Sequence, residues 1–268
     1  GVNVAKGLCL ARGLPLYGVN HLEGHLYSNW LHEGGRARTA ERAAPFDAGR
    51  EPAPRFPYLA LIVSGGHTEL VRVTSHLCYE RLGGTLDDAA GEAFDKVARI
   101  LELPYPGGPA IEREAAAGDP NAFDFPVGKT ASPYDFSFSG LKTAVLRVAE
   151  RIAQEGEPLP VQDLAASFQA AVVRALGGRA ARAVAELEVD EVHLSGGVSA
   201  NRALRRALGE SMPVPVRFPP PELCTDNAAM IAASGARLFE RGIRDGLELG
   251  AFSRVPVGDA PWRSLPTA

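Results

Sequence analysis

Along the chain the spacing of apolar positions changes several times, and each change marks an element. Residues 3–12 read as the body of a helix and 16–19 as a short strand. Asn20 then stands where an N-cap belongs, before Leu22, His25, Leu26 and Trp30 at helical spacing. Residues 58–63 are an unbroken apolar run, 64–67 a turn, and 68–73 alternate, which predicts a hairpin with a third strand at 78–82. From 87 to 103 the period is helical again, carried by Ala90, Phe94, Val97, Ala98 and Leu101. Further helices are predicted at 109–117, 139–154, 162–187, 201–208 and 226–241, with late strands at 191–194 and 214–218. This order places the chain in the α/β class with a mixed sheet, and no repeat of fixed period interrupts it.

Composition narrows the picture. At 268 residues and 46% hydrophobic side chains, the chain can bury a large core as one domain or two lobes. No apolar run reaches the roughly 18 residues of a membrane span, and the start has no signal-peptide pattern. Cys9, Cys78 and Cys224 are odd in number and widely spaced, which fits a reducing cytoplasm. A net charge of −4 argues against a free-standing nucleic-acid binder. Gly1 is not an initiator methionine, so the sequence reads as a fragment or processed piece. Residues 33–57, rich in Gly, Ala, Arg and Pro and without period, read as a linker between lobes.

Candidate chemistry begins with His21-Leu22-Glu23-Gly24-His25. Two imidazoles at i and i+4 share one helix face and can reach a single ion, although two partly buried structural histidines would look the same. A zinc-peptidase arrangement is disfavoured, because Glu23 sits about 200° around the helix from His21. Two glycine turns follow strands, Ser64-Gly65-Gly66-His67 and Ser195-Gly196-Gly197-Val198. Their exposed N–H groups suit phosphate oxygens, and the second also opens a helix. Gly128-Lys129-Thr130 is no P-loop, since Phe123 stands where its first glycine belongs. Asp88, Glu92 and Asp95 stack on one helix face and are expected to line a cleft, with Asp95 accepting from a ribose hydroxyl. Tyr105-Pro106-Gly107-Gly108 precedes another helix, with Glu112 one turn inside it.

Taken together, His21-Leu-Glu-Gly-His25, Val63-Ser-Gly-Gly-His-Thr68, Asp87-Asp-Ala-Ala-Gly-Glu-Ala-Phe-Asp-Lys96, Tyr105-Pro-Gly-Gly108, Phe136-Ser-Phe-Ser-Gly-Leu-Lys142, Ser195-Gly-Gly-Val-Ser-Ala-Asn201 and Cys224-Thr-Asp-Asn227 resemble the bacterial tRNA N6-adenosine threonylcarbamoyltransferases. The resemblance implies a two-lobe fold of the actin, sugar-kinase and heat-shock ATPase kind. Residues 1–56 would end the first lobe, and 57–268 would form the second, with the helix at 226–241 packing back at the interface. It implies transfer of the threonylcarbamoyl group from threonylcarbamoyl-adenylate to N6 of the tRNA adenosine 3′ of the anticodon. His21, His25 and Asp226 would hold one divalent metal, Fe(II) first and Zn(II) second. Ile62, Val63, Ser64, Gly65, Gly66, Asp95, Gly108, Glu112 and Asn201 would hold the adenylate. Implied partners are tRNA, a paralogous protein of the same fold and a small ATPase, with no membrane.

Three features depart from the family pattern. Its opening Gly-Ile-Glu-Thr-Ser-Cys-Asp-like strand is absent, so most of the first lobe is outside this chain, which is expected to be inactive alone. Ile62 stands where archaeal and eukaryotic relatives place a tyrosine ligand, and the 33–57 linker is longer than usual. No general base is evident. Thr225 is expected to cap the helix after it, leaving Asp226 free for the metal. Two other classes compete: an ATP-dependent small-molecule kinase of the same fold, disfavoured because imidazoles suit zinc or iron over magnesium, and a non-enzymatic binding module with a structural metal.

Overall fold

The computed structural model describes residues 1–31 and 54–263, so most of the expected 33–57 linker lies outside the described residues. Among the described residues, five strands form one sheet in the order β3-β2-β1-β4-β5. They are β1 (Tyr58–Val63), β2 (Thr68–Ser75), β3 (Cys78–Gly84), β4 (Glu191–Ser195) and β5 (Val216–Arg217). β1 pairs antiparallel with β2 and parallel with β4, so the meander and the crossover strands meet at the centre. Every residue of β1 is buried, the signature of a strand covered on both faces. Leu59, Leu61 and Val63 enter a core with α3 (Ala90–Ile100), α4 (Gly107–Ala115), α5 (Ser139–Gln154), α6 (Val161–Glu186) and α7 (Arg202–Ser211). Tyr58, Ala60 and Ile62 face the other way, onto Leu22, Leu26 and Tyr27 of α2 (His21–Tyr27) and onto Trp30. Each such apolar side chain removed from water contributes about 1.5–3 kcal/mol.

The predicted elements form with three instructive differences. Residues 16–19 make no strand; Leu16 alone bridges Asp245. The Asp245 carboxylate instead accepts from the Gly18 N–H at 2.6 Å, and Arg263 donates to the Gly18 carbonyl at 2.8 Å. β5 shrinks to two residues because Pro213 and Pro215 have no N–H to give a ladder. The helix expected at 87–103 starts only at Ala90, since Asp87 is engaged elsewhere. Its carboxylate accepts from the Phe138 N–H at 2.8 Å and from the hydroxyls of Ser137 and Ser139, which anchors the start of α5. The Ala90 N–H, an orphan of the helix start, is met by Thr68 Oγ1 at 2.9 Å. α1 (Val2–Arg12) and α8 (Ala228–Glu240) complete the set, and α8 packs on α2.

Candidate functional site

α2 presents the two histidines. Asn20 caps it, its side chain accepting from the Leu22 N–H at 2.9 Å while its amide donates to the Pro256 carbonyl at 2.6 Å. Gly24 permits the approach of α8: a Cβ there would lie 2.8 Å from Ile231 Cδ1. That approach carries Asp226 to the imidazoles. Asp226 Oδ1 lies 3.2 Å from Nε2 of both His21 and His25, and the three donors fall within 4.8 Å of one another. For ligands about 2.1 Å from one ion, neighbouring donors stand about 3.0 Å apart in octahedral and about 3.4 Å in tetrahedral geometry, which the two separations of 3.2 Å between Asp226 and the imidazoles match.

His25 is 1% exposed, yet among the described residues Nδ1 has no hydrogen-bond partner and Nε2 faces the carboxylate without the alignment of a bond. Buried polar atoms left this way are uncommon, and the donor set suits a borderline divalent metal. Burial and then the charge of His21 push the His25 pKa down to about 4 against the pull of Asp226, so the ring is neutral, as a ligand must be. Glu23, on the opposite face of α2, is buried beneath the C-terminal segment; burial raises its pKa to about 7 against Arg263, Gly258 and Tyr79. It takes no part in the cluster, which bears out its exclusion as a peptidase base.

Beside this cluster is a cavity of about 340 Å³, lined by Gly65, Asp95, Gly108, Glu112, Asn201 and Thr225, among others. That volume is at the small end of ligand sites, which run from about 300 to 1,000 Å³. Backbones meet closely around it. A Cβ on Gly196, whose φ is +88°, would lie 2.4 Å from the Val63 carbonyl, and one on Gly91 would lie 2.6 Å from the Ser64 carbonyl. Gly91, Gly108 and Asn201 mark the N-terminal ends of α3, α4 and α7, so three positive helix ends border one cavity, which favours an anion there.

Of the nine expected adenylate residues, Gly65, Asp95, Gly108, Glu112 and Asn201 line this cavity and the other four do not. Asp95 Oδ1 accepts from the Gly107 N–H at 2.8 Å, and Glu112 Oε1 from the Arg202 N–H at 2.7 Å, each using one of two carboxylate oxygens. Asn201 caps α7 through Leu204 and donates to Gln169 Oε1 at 2.7 Å. Of the 62–66 stretch only Gly65 lines the cavity; Ile62 and Val63 are fully buried on opposite faces of β1, and Ser64 and Gly66 form the turn.

Two expectations are corrected. Asp88 and Glu92 do not line the cleft with Asp95, because Lys96 pairs with them at 2.6 and 2.9 Å. Thr225 does not cap α8, since Asn227 accepts from the Met230 N–H at 2.9 Å; Asp226 is free of capping all the same. Phe94, Tyr105, Val198 and Thr225 also border the cavity and carried no chemical signal of their own in the sequence.

A family model described as tRNA N6-adenosine threonylcarbamoyltransferase matches residues 1–233. A protein of that name from Thermomicrobium roseum is 50% identical over 276 residues, covering 96% of this chain and 72% of its own length. One from Gloeobacter violaceus is 49% identical, covering 99% of this chain and 73% of its own. Among solved structures, HypF from T. kodakarensis superposes with a TM-score of 0.63 at 17% identity, over 90% of this chain and 39% of that one. A full-length HypF in a phosphate- and nucleotide-bound form gives 0.61 at 14% identity. Both likenesses concern the fold alone.

Proposed function

Since the chain belongs to the tRNA N6-adenosine threonylcarbamoyltransferase family, we propose that its two adjoining clusters form one site, which transfers threonylcarbamoyl from threonylcarbamoyl-adenylate to tRNA. The acceptor is N6 of the adenosine 3′ of the anticodon. The observation that carries this is the continuity of the clusters: Thr225 borders the nucleotide cavity, and the next residue, Asp226, meets His21 and His25. The donor set supports a divalent ion, Fe(II) first and Zn(II) second, which when bound supplies Lewis acidity beside the carbamoyl carbonyl.

The chain's own residues do the rest. N–H groups at the Gly65 and Gly197 turns and the three helix ends orient the adenylate phosphate and stabilise negative charge as it builds on the departing AMP. Asp95 and Glu112 offer their second oxygens to the ribose hydroxyls. The adenosine amine attacks the carbamoyl carbon, the bond from that carbon to the phosphate oxygen breaks, AMP leaves with the bonding pair, and the amine gives up one proton to solvent water. The kinase alternative is not favoured, for the family's name gives a threonylcarbamoyl group, not a phosphoryl group, as what is transferred, and the cavity adjoins two imidazoles.

The proposal extends to a cytoplasmic setting, to partners of two kinds, a paralogue of the same fold and a small ATPase, and to a lobe division near residue 56. No helix among the described residues is long and apolar enough to cross a membrane. The test incubates the complete protein and its partners with threonylcarbamoyl-adenylate and unmodified tRNA, then measures nucleosides by mass spectrometry. Product should form with the parent and fall at least a hundredfold with His25→Ala (about 2.7 kcal/mol of barrier). Parent-level product from that variant would refute the site.

A further inference from the structure

We infer that Arg205 is a positioning residue, holding the segment that carries Asp226 in register with the glycine turn of the nucleotide cavity. The inference rests on the metal and adenylate assignment proposed above. Arg205 lies one turn into α7, which separates the two segments in the chain. Its Nε donates to the Ser199 carbonyl at 2.5 Å, inside the 3-10 turn Gly197–Ala200 that borders the cavity. Its Nη2 donates to the Pro219 carbonyl at 2.9 Å and lies 3.1 Å from Cys224 Sγ. The guanidinium also stands 5.2 Å over the centre of the Phe218 ring, which fixes its plane. One rigid fork therefore ties the turn before α7 to both ends of the segment that delivers Thr225 and Asp226.

The two sides of the metal cluster are held differently. His25 belongs to a core helix and is 1% exposed, whereas the Asp226 side chain is 74% exposed, on an irregular segment whose single short helical element is the 3-10 turn Pro221–Leu223. The carboxylate's place relative to the imidazoles thus depends on two anchors, the start of α8 capped by Asn227 on one side and whatever holds the irregular segment on the other. Arg205 supplies anchors at Pro219 and at Cys224, which is fully buried two residues before Asp226. Supporting contacts around a metal ligand commonly change metal affinity about ten- to a hundredfold when lost. The ribose side of the adenylate depends less on Arg205, because Asp95 and Glu112 have anchors of their own, whereas the turn facing the phosphate shares the Arg205 contact at Ser199.

The test uses the complete protein with Arg205→Lys, which keeps the charge and stem but loses the fork, and Arg205→Met, which loses the charge as well. Zn²⁺ affinity is read by competition with a chromophoric chelator, the Co²⁺ ligand-field spectrum reports geometry, and calorimetry gives adenosine affinity, all well below the unfolding temperature. Zn²⁺ affinity should fall about tenfold in Arg205→Lys with an altered Co²⁺ spectrum, while affinity for adenosine, which lacks the phosphate, stays within about threefold by the same calorimetry. The exposed neighbour variant Arg206→Lys should match the parent. If both Arg205 variants melt lower but keep Zn²⁺ affinity within about twofold, Arg205 is merely structural and the inference fails while the metal site stands. If His25→Ala binds Zn²⁺ as tightly as the parent, the metal assignment fails and takes the inference with it.

Discussion

Asp95 separates the two roles that a cavity residue can hold. Its Oδ1 accepts the Gly107 N–H at 2.8 Å at the start of α4, and its other oxygen is assigned to the ribose. Asp95→Ala removes both. The lost acceptor at a helix start costs about 0.5–2 kcal/mol, a melting-point drop of a few degrees for a chain of this size. The lost charge-assisted bond to ribose costs about 1.5–3 kcal/mol, which weakens AMP between about tenfold and a hundredfold. Asp95→Asn separates the effects, because its amide oxygen can still accept from Gly107 while the carboxylate charge facing the ligand is gone. Thermal unfolding should therefore distinguish Ala from parent but barely distinguish Asn, whereas calorimetry with AMP should show both variants weakened, Ala more. Unchanged AMP affinity in Asp95→Ala, alongside a lower melting temperature, would leave Asp95 a helix anchor and refute its ribose role.

The fold itself makes further predictions. Glu191 is 1% exposed and accepts from Arg217 at 2.6 and 2.9 Å. Burial raises its pKa, but bonds from His193 and Arg217, the Arg217 charge and the Arg55 N–H outweigh this and hold it well below the ordinary 4.5. The folded carboxylate thus binds fewer protons than the unfolded one. Its contribution is present above about pH 4.5 and lost as pH falls below that. Glu191→Gln should cost about 3 kcal/mol near neutral pH and flatten the acid limb of a denaturation curve measured against pH. Gly196→Ala should destabilise by more than 1 kcal/mol in denaturant titration, since its Cβ would strike the Val63 carbonyl and its φ is +88°. Asp87→Ala should cost roughly 1–2 kcal/mol and raise amide exchange at the start of α5, because the Phe138 and Ser139 N–H groups lose their acceptor.

Several elements are legible locally. The buried run of β1, the hairpin through Ser64-Gly65-Gly66-His67 and the helix bearing His21 and His25 each announce themselves through period and cap, because backbone geometry repeats over a few residues. The motif resemblance supplied Asp226, which no local pattern could have joined to histidines two hundred residues earlier. Packing decided the rest. Lys96 neutralises two of three stacked acids, so only Asp95 meets the cavity. Asn227 displaces Thr225 as the cap, and residues 16–19 give their polar backbone to Asp245 and Arg263 instead of a ladder. The sequence by itself determined the type of most elements and the chemical repertoire. Only tertiary structure decided how those side chains are brought together: Gly24 leaves room for Ile231 to bring α8 onto α2, and Arg205 draws together segments on either side of α7. The physical reason is reach, for propensity and period act across one or two helical turns, whereas a site is set by close packing between elements whose separation in sequence carries no information about their separation in space.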